Sequence, residues 1–355
     1  MSRSDAAHEP AEDAPSEAAS HPLPVGKLPP DLLQRLIEQY RTPPDQTVTV
    51  VPAIGHDAAA IEVGEHTLVV KSDPITFATA GAADYLVAIN ANDVACLGGR
   101  ARWLTVVALL PEGRTTVENV ETMFAELQNA CLPLGISVIG GHTEVTIGLD
   151  RPILVGTMLG TVAAGRLIKP GEAKVGDAIL LTKAVGIEGT ALLAREKRDE
   201  LLPVMGPDRL FQAAKLLRRP GISVVRDAEA VTQSAGVNAL HDPTEGGVAM
   251  GVRELALAAG LGAELLADAL PILPETRVIC DHFGLDPLGL LGSGSLLVAA
   301  DPAHADAVMA GARRAGIQIA RVGRIVPAED GFVLIGRSGL RPLPQFAADE
   351  ITRVL

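Results

Sequence analysis

Five short polar runs stand beside glycine or at the edge of apolar stretches: Gly55-His56-Asp57, Lys71-Ser72-Asp73-Pro74, Asn90-Ala91-Asn92-Asp93, Gly140-Gly141-His142-Thr143-Glu144 and His241-Asp242-Pro243-Thr244-Glu245-Gly246-Gly247. Asp57, Asp73 and Asp93 supply hard oxygen donors for a divalent cation such as Mg2+, and Lys71 supplies a compact cation for phosphate. Asn90, Asn92 and Asp93 interrupt an apolar, helix-like stretch, where an unpartnered carboxylate is expensive, so each must be hydrogen-bonded, ligated or placed at an edge. Gly140 and Gly141 let a backbone approach a ligand closely, which would aim His142 or Glu144 at it; a tight turn capped by Thr143 is the plainer use. Gly246 and Gly247 open a helix whose N–H groups and dipole would hold an anion, with Asp242 and Glu245 alongside; an ordinary N-cap reads the same way. Taken together these are the parts of a Mg2+-bridged triphosphate site without a P-loop, but spacing alone does not assemble them. No GxxxxGK[ST], HExxH or GxSxG run is present, and Gly289 to Gly294 does not fit a GxGxxG after a strand.

Positioning these runs falls to the elements between them. The stripe Leu32, Leu33, Leu36, Ile37 predicts a short amphipathic helix ending near Arg41. Strands are expected over 47–51, 58–63 and 67–71, leaving Asp57 just before one strand and Lys71 at the end of another. Residues 82–97 read as a buried helix stopped by Gly98-Gly99. A strand over 102–110, a helix over 116–134 and strands over 137–140 and 152–162 follow. The same β-α-β-β order returns over 294–300, 303–315, 317–322 and 332–335. Two such blocks predict two matching α+β halves, each a mixed sheet with helices on one face, divided near 165–174. Between them a strand is expected over 178–182 and helices over 189–198, 207–217, 224–234 and 246–259.

Composition narrows the function classes. The chain has 355 residues, enough for two domains, with 48% apolar and 21% charged residues, as in ordinary globular proteins. Thirty basic against 43 acidic residues give a net charge of -13, the wrong sign for gripping nucleic-acid backbones, and 3% aromatics leave little for base stacking. Three widely spaced cysteines, Cys96, Cys131 and Cys280, exclude a disulfide framework and point to a reducing cytoplasm. No apolar run is long enough to span a membrane, and residues 1–19, rich in Ala, Glu, Asp, Ser and Pro, read as a disordered tail rather than a signal peptide.

In order, GHDAAAI, KSDP, NANDVACLGG, GGHTEVT, HDPTEGG and GSGSLLVA resemble the aminoimidazole ribonucleotide (AIR) synthetase, or PurM-like, superfamily. That group includes selenophosphate synthetase, thiamine monophosphate kinase and the HypE hydrogenase maturation factor, and the chain is most similar to HypE-like AIR synthase-related members from about Gly26 to about Pro344. The resemblance implies a two-domain α+β fold: a tail over 1–25, an ATP-binding domain over 26–164 forming a β-barrel across a homodimer, and a second domain over 165–355. It implies ATP and Mg2+ as cofactors, with Asp57, Asp73 and Asp93 on the metal. ATP would meet Lys27, Lys71, Asn92, Gly140, Gly141, His142, Thr143, Gly246 and Gly247, and the catalytic set would be Lys71, His142, Asp242 and Glu245. The implied activity is phosphorylation of an amide, carbamoyl or formyl oxygen. A kinase of the thiamine monophosphate type and a non-catalytic nucleotide-binding maturation partner are the alternatives. Implied partners are a small-molecule acceptor, a second copy of the chain and a maturation-factor protein. Two departures qualify the transfer. HypE resembles a carrier ending in Pro-Arg-Ile-Cys, whereas this sequence ends Ile351-Thr352-Arg353-Val354-Leu355, so self-carried carbamoyl dehydration is not expected. Gly55-His56-Asp57 also stands where relatives have two acids in succession, which leaves the metal stoichiometry open.

Overall fold

The computed structural model describes residues 28–40, 42–43, 45–53, 55–76, 81–337 and 339–355; the expected tail over 1–25 and Lys27 lie outside the described residues. Helix α1 (Pro30–Gln39) leads into β1 (Val48–Val50), β2 (Ala59–Val63), β3 (His66–Ile75), α2 (Ala82–Cys96), β4 (Arg100–Pro111), α3 (Val117–Cys131), β5 (Ser137–Thr146) and β6 (Ile153–Val162). Their six strands form one sheet in the order β1-β2-β3-β6-β4-β5. Every pairing is antiparallel except β4 with β5, which are joined through the α3 crossover. The sheet is open in the single chain, with β1 and β5 at its edges, so one copy does not close the expected barrel.

Helix α2 is the core of this half. Its residues are small or apolar on nearly every side, and Leu86, Val87, Ala91 and Val94 are each at most 1% exposed. Along β6 burial alternates, and Leu154, Met158 and Val162 face the same core. Fully burying a side chain of the Leu or Val class contributes about 1.5–3 kcal/mol, so this face carries much of the stability of the half. Gly156 of β6 admits the helix: a Cβ there would stand 3.1 Å from Leu86 Cγ and Asn90 Nδ2.

The second half contains β7 (Ala178–Thr182), α4 (Ile187–Glu196), α5 (Arg198–Lys215, kinked at Gly206), α6 (Val225–Val231), β8 (Val237–His241), α7 (Gly247–Leu257), β9 (Gly262–Leu266) and α8 (Pro274–Phe283). It is completed by β10 (Leu297–Ala300), α9 (Ala305–Arg314), β11 (Ile319–Val326), β12 (Phe332–Gly336) and β13 (Gly339–Pro342). The sheet order is β13-β12-β9-β11-β7-β10-β8, with only β12 and β9 parallel.

Two expectations change here. Helices cover both faces of this second sheet: Ile179 and Leu181 pack with Val248, Val252 and Leu255 of α7, while Ala178 and Leu180 pack with Ala228 and Val231 of α6 and Val308 and Ala312 of α9. The reason is visible in β7, Ala-Ile-Leu-Leu-Thr, which is buried at every position and therefore needs a cover on both sides. The repeated β-α-β-β order also hides two topologies. β4 and β5 are direct parallel neighbours, whereas β10 and β11 lie on opposite sides of β7. Ala95 of α2 packs into the cluster with α6 and α9, so α2 bridges the two sheets.

Candidate functional site

Each polar interruption of α2 has its own task. Asn90 donates to Leu86 O and accepts the backbone N–H of Asp73 at 3.1 Å, which fastens β3 to the helix. Asn92 is fully buried; its Nδ2 donates to Ile222 O at 3.0 Å and its Oδ1 accepts the N–H of Val224 at 2.8 Å. Asn92 was expected at the nucleotide, but here it clamps α2 to the segment leading into α6. Asp93 turns toward Lys71.

Lys71 and Asp73 lie inside β3 rather than beyond its end, two residues apart and so on one face of the strand. Val69 and Ile75, at the same parity, are buried in the α2 core. Lys71 Nζ is 2.8 Å from Asp93 Oδ2 and 3.1 Å from Asp73 Oδ2. Burial alone would depress the ammonium, but the charges of Asp93, Asp73 and Asp57 outweigh it and hold Lys71 well above its ordinary range. From the second sheet, β8 delivers His241 and Asp242. His241 is sandwiched, with Nδ1 3.2 Å from Asp57 Oδ2 and Nε2 3.0 Å from Glu254 Oε2 on α7. Burial opposes its charge, yet the hydrogen bonds to the two carboxylates raise it well above an ordinary histidine. Gly55 places Asp57 for this: at φ +77 it sits against α7, where a Cβ would stand 2.9 Å from Glu254 O.

Asp242 completes the cluster. The Cys96 thiol donates to its Oδ1 at 3.5 Å, while its buried Oδ2 has no hydrogen-bond partner. Burial and the nearby Asp242 together push the Asp93 carboxyl well above its usual range. Four aspartates from the two halves thus surround Lys71 with more negative than positive charge. That donor set suits a hard cation. Among the described residues, however, no three acid, His or Cys groups already stand around one metal position. Lys71 supplies the counter-charge there.

The other two runs are used differently. Gly140 to Thr143 are not a turn after a strand; they lie within β5, exposed, and His142 Nε2 meets Glu144 Oε2 at 3.1 Å. Gly141, φ +146, lies so close to β4 that a Cβ would collide with Val106 O. β5 stands three strands from β3, about 14 Å at ordinary strand spacing, so one chain does not bring His142 to the aspartates. At the start of α7, the expected anion position is filled from within. Gly246 N–H donates to Asp349 Oδ2 at 2.7 Å, and Gly247 N–H donates to Thr244 O. Gly247 is needed for packing, since a Cβ would come 2.5 Å from Leu288 O.

Glu254, Asp349 and Glu188 are functional neighbours that no sequence motif marks. Glu254 and Glu188 sit within helical runs with no motif around them, and Asp349 gives no local signal of its long-range role. His241, in contrast, opens the HDPTEGG run and was within reach.

Residues 55–162 match the family model "AIR synthase related protein, N-terminal domain", and residues 174–336 match "AIR synthase related protein, C-terminal domain". The chain is similar to the carbamoyl dehydratase HypE of Escherichia coli K12, 30% identical over 275 residues, covering 76% of this chain and 77% of that protein. It is also similar to the carbamoyl dehydratase HypE of Rhodobacter capsulatus, 27% identical over 339 residues, covering 93% and 95%. A crystal structure of hydrogenase maturation protein HypE in complex with ATP shares the fold, with a TM-score of 0.66, 24% identity and coverage of 90% of this chain and 96% of that one.

Proposed function

The chain belongs to the AIR synthase related family, and on that premise we propose that it is an ATP- and Mg2+-dependent enzyme that phosphorylates the oxygen of an amide, carbamoyl or formyl group. The observation that carries this reading is the convergence of Lys71 and Asp73 from β3 and Asp93 from α2 with Asp242 from the end of β8. Asp57, Asp73 and Asp93 are the residues that would hold Mg2+, and Asp242, buried against Asp93, stands beside them. When bound, the metal would neutralise phosphate charge. Lys71, fixed between two carboxylates, directs a permanent positive charge at the transferring phosphoryl group. His241, held by Asp57 and Glu254, keeps the Asp57 loop against the second half.

None of the three cysteines is suited to carry a reactive group. Burial pushes the Cys131 thiol up to about 11 and the Cys280 thiol to about 12, and it holds Cys96, bonded to Asp242, well above an ordinary thiol. The acceptor in this reading is therefore a separate molecule.

The proposal includes a homodimer through β5. Val138, Ile139 and Val145 on that strand are 48–56% exposed, and its outer edge has no neighbouring strand among the described residues. A second copy there would bring Gly140, Gly141, His142 and Thr143 of one chain toward the other. Light scattering at micromolar concentration tests this, and a monomer counts against the shared site.

Asp73→Asn tests the chemistry. The variant should fold, as judged by an unchanged circular dichroism spectrum, and lose Mg2+-ATP turnover; unchanged turnover removes the metal role of Asp73. Free phosphate as product fits dehydration, whereas a phosphorylated acceptor seen by mass spectrometry assigns a kinase instead. No helix among the described residues is long and apolar enough to cross a membrane.

A further inference from the structure

A cleft of about 900 Å3 opens at the junction of the two halves, at the far end of the elements that carry the Lys71 cluster. Thr67 of β3 and Val237 of β8 line it, and they stand four residues before Lys71 and His241, about 13 Å along each strand. α2 runs out into it at Gly98 and Gly99, beyond Asp93. The linker over 163–168 and the end of α6 close the other side. Clefts of this size between domains are ordinary places for a small ligand.

Its charge is opposite to that of the molecule around it. The chain has 43 acidic and 30 basic residues, whereas the cleft is lined by Arg100, Arg102, Arg166 and His66 against one acid, Glu229. Among the described residues, arginine–carboxylate pairs form on Arg198, Arg218, Arg324, Arg337 and Arg353, and on none of the three arginines of the cleft.

The backbone sets two of these arginines in place. Between Ala101 and Trp103 the β4–β6 register slips, which leaves Arg102 on a bulge, a device that re-aims a side chain. Its guanidinium lies over the Trp103 ring, 4.8 Å from the centroid, and this stacking restrains it. Arg166 is seated against the end of α2. Gly98, at φ +73, leaves room for Arg166 O, to which a Cβ would come within 2.5 Å, and Ile168 N–H donates to Leu97 O at 3.1 Å. Arg166 Nη2 donates to Thr232 O at 2.7 Å, which fixes the guanidinium and leaves its other N–H groups for a ligand. Arg100 stands at the rim, its Nη2 beside Gly135. Leu68, Ile168 and Trp103 supply apolar surface between these charges.

We propose that this cleft binds a small organic polyanion, one bearing two or more phosphate or carboxylate groups, with Arg102 and Arg166 on its oxygens and its carbon frame against Leu68, Ile168 and Trp103. Planar guanidinium forks match the oxygens of either group, and a cleft of one sign gathers ligands of the other. Glu229 alone does not make a divalent-cation site, so binding needs no Mg2+, which sets this site apart from the Lys71 cluster.

Trp103 is the single tryptophan of the chain, so its fluorescence reports on the cleft directly. The full chain is titrated with inorganic pyrophosphate and, separately, with tricarballylate, in EDTA and without nucleotide, and calorimetry repeats each titration. A saturable change is expected. Arg102→Gln, an exposed position that should leave the melting midpoint unchanged, should weaken binding by about 10-fold or more, and Arg166→Gln should do the same. Arg337→Gln, on an arginine 91% exposed and outside the cleft, should bind like wild type. Saturation by pyrophosphate alone assigns a phosphorylated ligand and by tricarballylate alone a polycarboxylate, and either upholds the site. No saturable binding of either probe below about 10 mM, or equal affinity in wild type and Arg102→Gln, overturns it.

Discussion

Replacing Asn92 by alanine separates a structural clamp from a nucleotide contact. In the folded chain the Asn92 amide satisfies Ile222 C=O and Val224 N–H, on residues that are 4% and 0% exposed, so water cannot take over either bond. Each backbone group left unsatisfied in that setting costs about 1–3 kcal/mol, and the small void adds to it, for a total of roughly 3–5 kcal/mol. At about 2–4 °C per kcal/mol for domains of comparable size, the melting midpoint should fall by roughly 6 °C or more. Differential scanning fluorimetry with and without Mg2+-ATP reads both quantities. A clamp predicts a lower baseline midpoint and a wild-type increment on adding nucleotide. A midpoint within about 1 °C of wild type, accompanied by a lost ATP increment, refutes the reasoning and returns Asn92 to the nucleotide.

Stability should fall as pH rises from about 5 to 8, because burial raises Glu188 to about 7 and Asp349 to about 6 in the folded state. Folding holds these protons more tightly than the unfolded chain does, so the contribution is whole below the ordinary carboxyl values of 4.5 and 3.8 and lost through about 6 to 7. For Glu188 this is on the order of 3 kcal/mol, and urea midpoints of wild type and Glu188→Gln should converge near pH 5 and separate near pH 8 in favour of the variant. Lys71→Met leaves Asp73 and Asp93 without their ammonium, so ATP turnover should be lost while Mg2+ alone raises the melting midpoint more than it does in wild type; no difference in the Mg2+ response argues against metal ligation there. Iodoacetamide at pH 8 should label none of Cys96, Cys131 and Cys280 appreciably before unfolding, as peptide mass spectrometry would show; fast labelling of Cys96 would contradict its raised thiol.

Only part of the carboxylate cluster was legible in the residues themselves: Asp93 interrupts the apolar run of α2, a conflict that demands a partner. Lys71 read as a strand end and Asp57 as a turn residue, and their joint use came from the family resemblance, because spacing does not bring separate strands together. The glycine runs were less informative, since glycine serves packing as readily as ligand approach. Gly141 yields to Val106 and Gly247 to Leu288, and neither neighbour is near in sequence. The same holds for the α7 start, whose N–H goes to a carboxylate 103 residues away. The two β-α-β-β blocks were found by periodicity, but periodicity is silent on strand order, and β7 came between β10 and β11. The strands β8, β9 and β13 are only four or five residues long, too short for a clear period, and went unassigned, as did the helix α8 despite Pro274 at its start and Gly284 at its end.

The register of the two sheets bears on when the site can exist during folding. β3, which carries Lys71 and Asp73, is completed by β6, and the Ser72–Thr157 contact closes a loop of 85 residues; in the second sheet the Thr182–Leu296 contact closes one of 114. Such long closures must be made before their contacts reward them, which places the chain among slow folders. A nascent chain therefore exposes the apolar β7 segment long before its neighbour β10 is synthesised, and its yield in a cell should depend more on chaperone supply during that interval than on the stability of the finished fold.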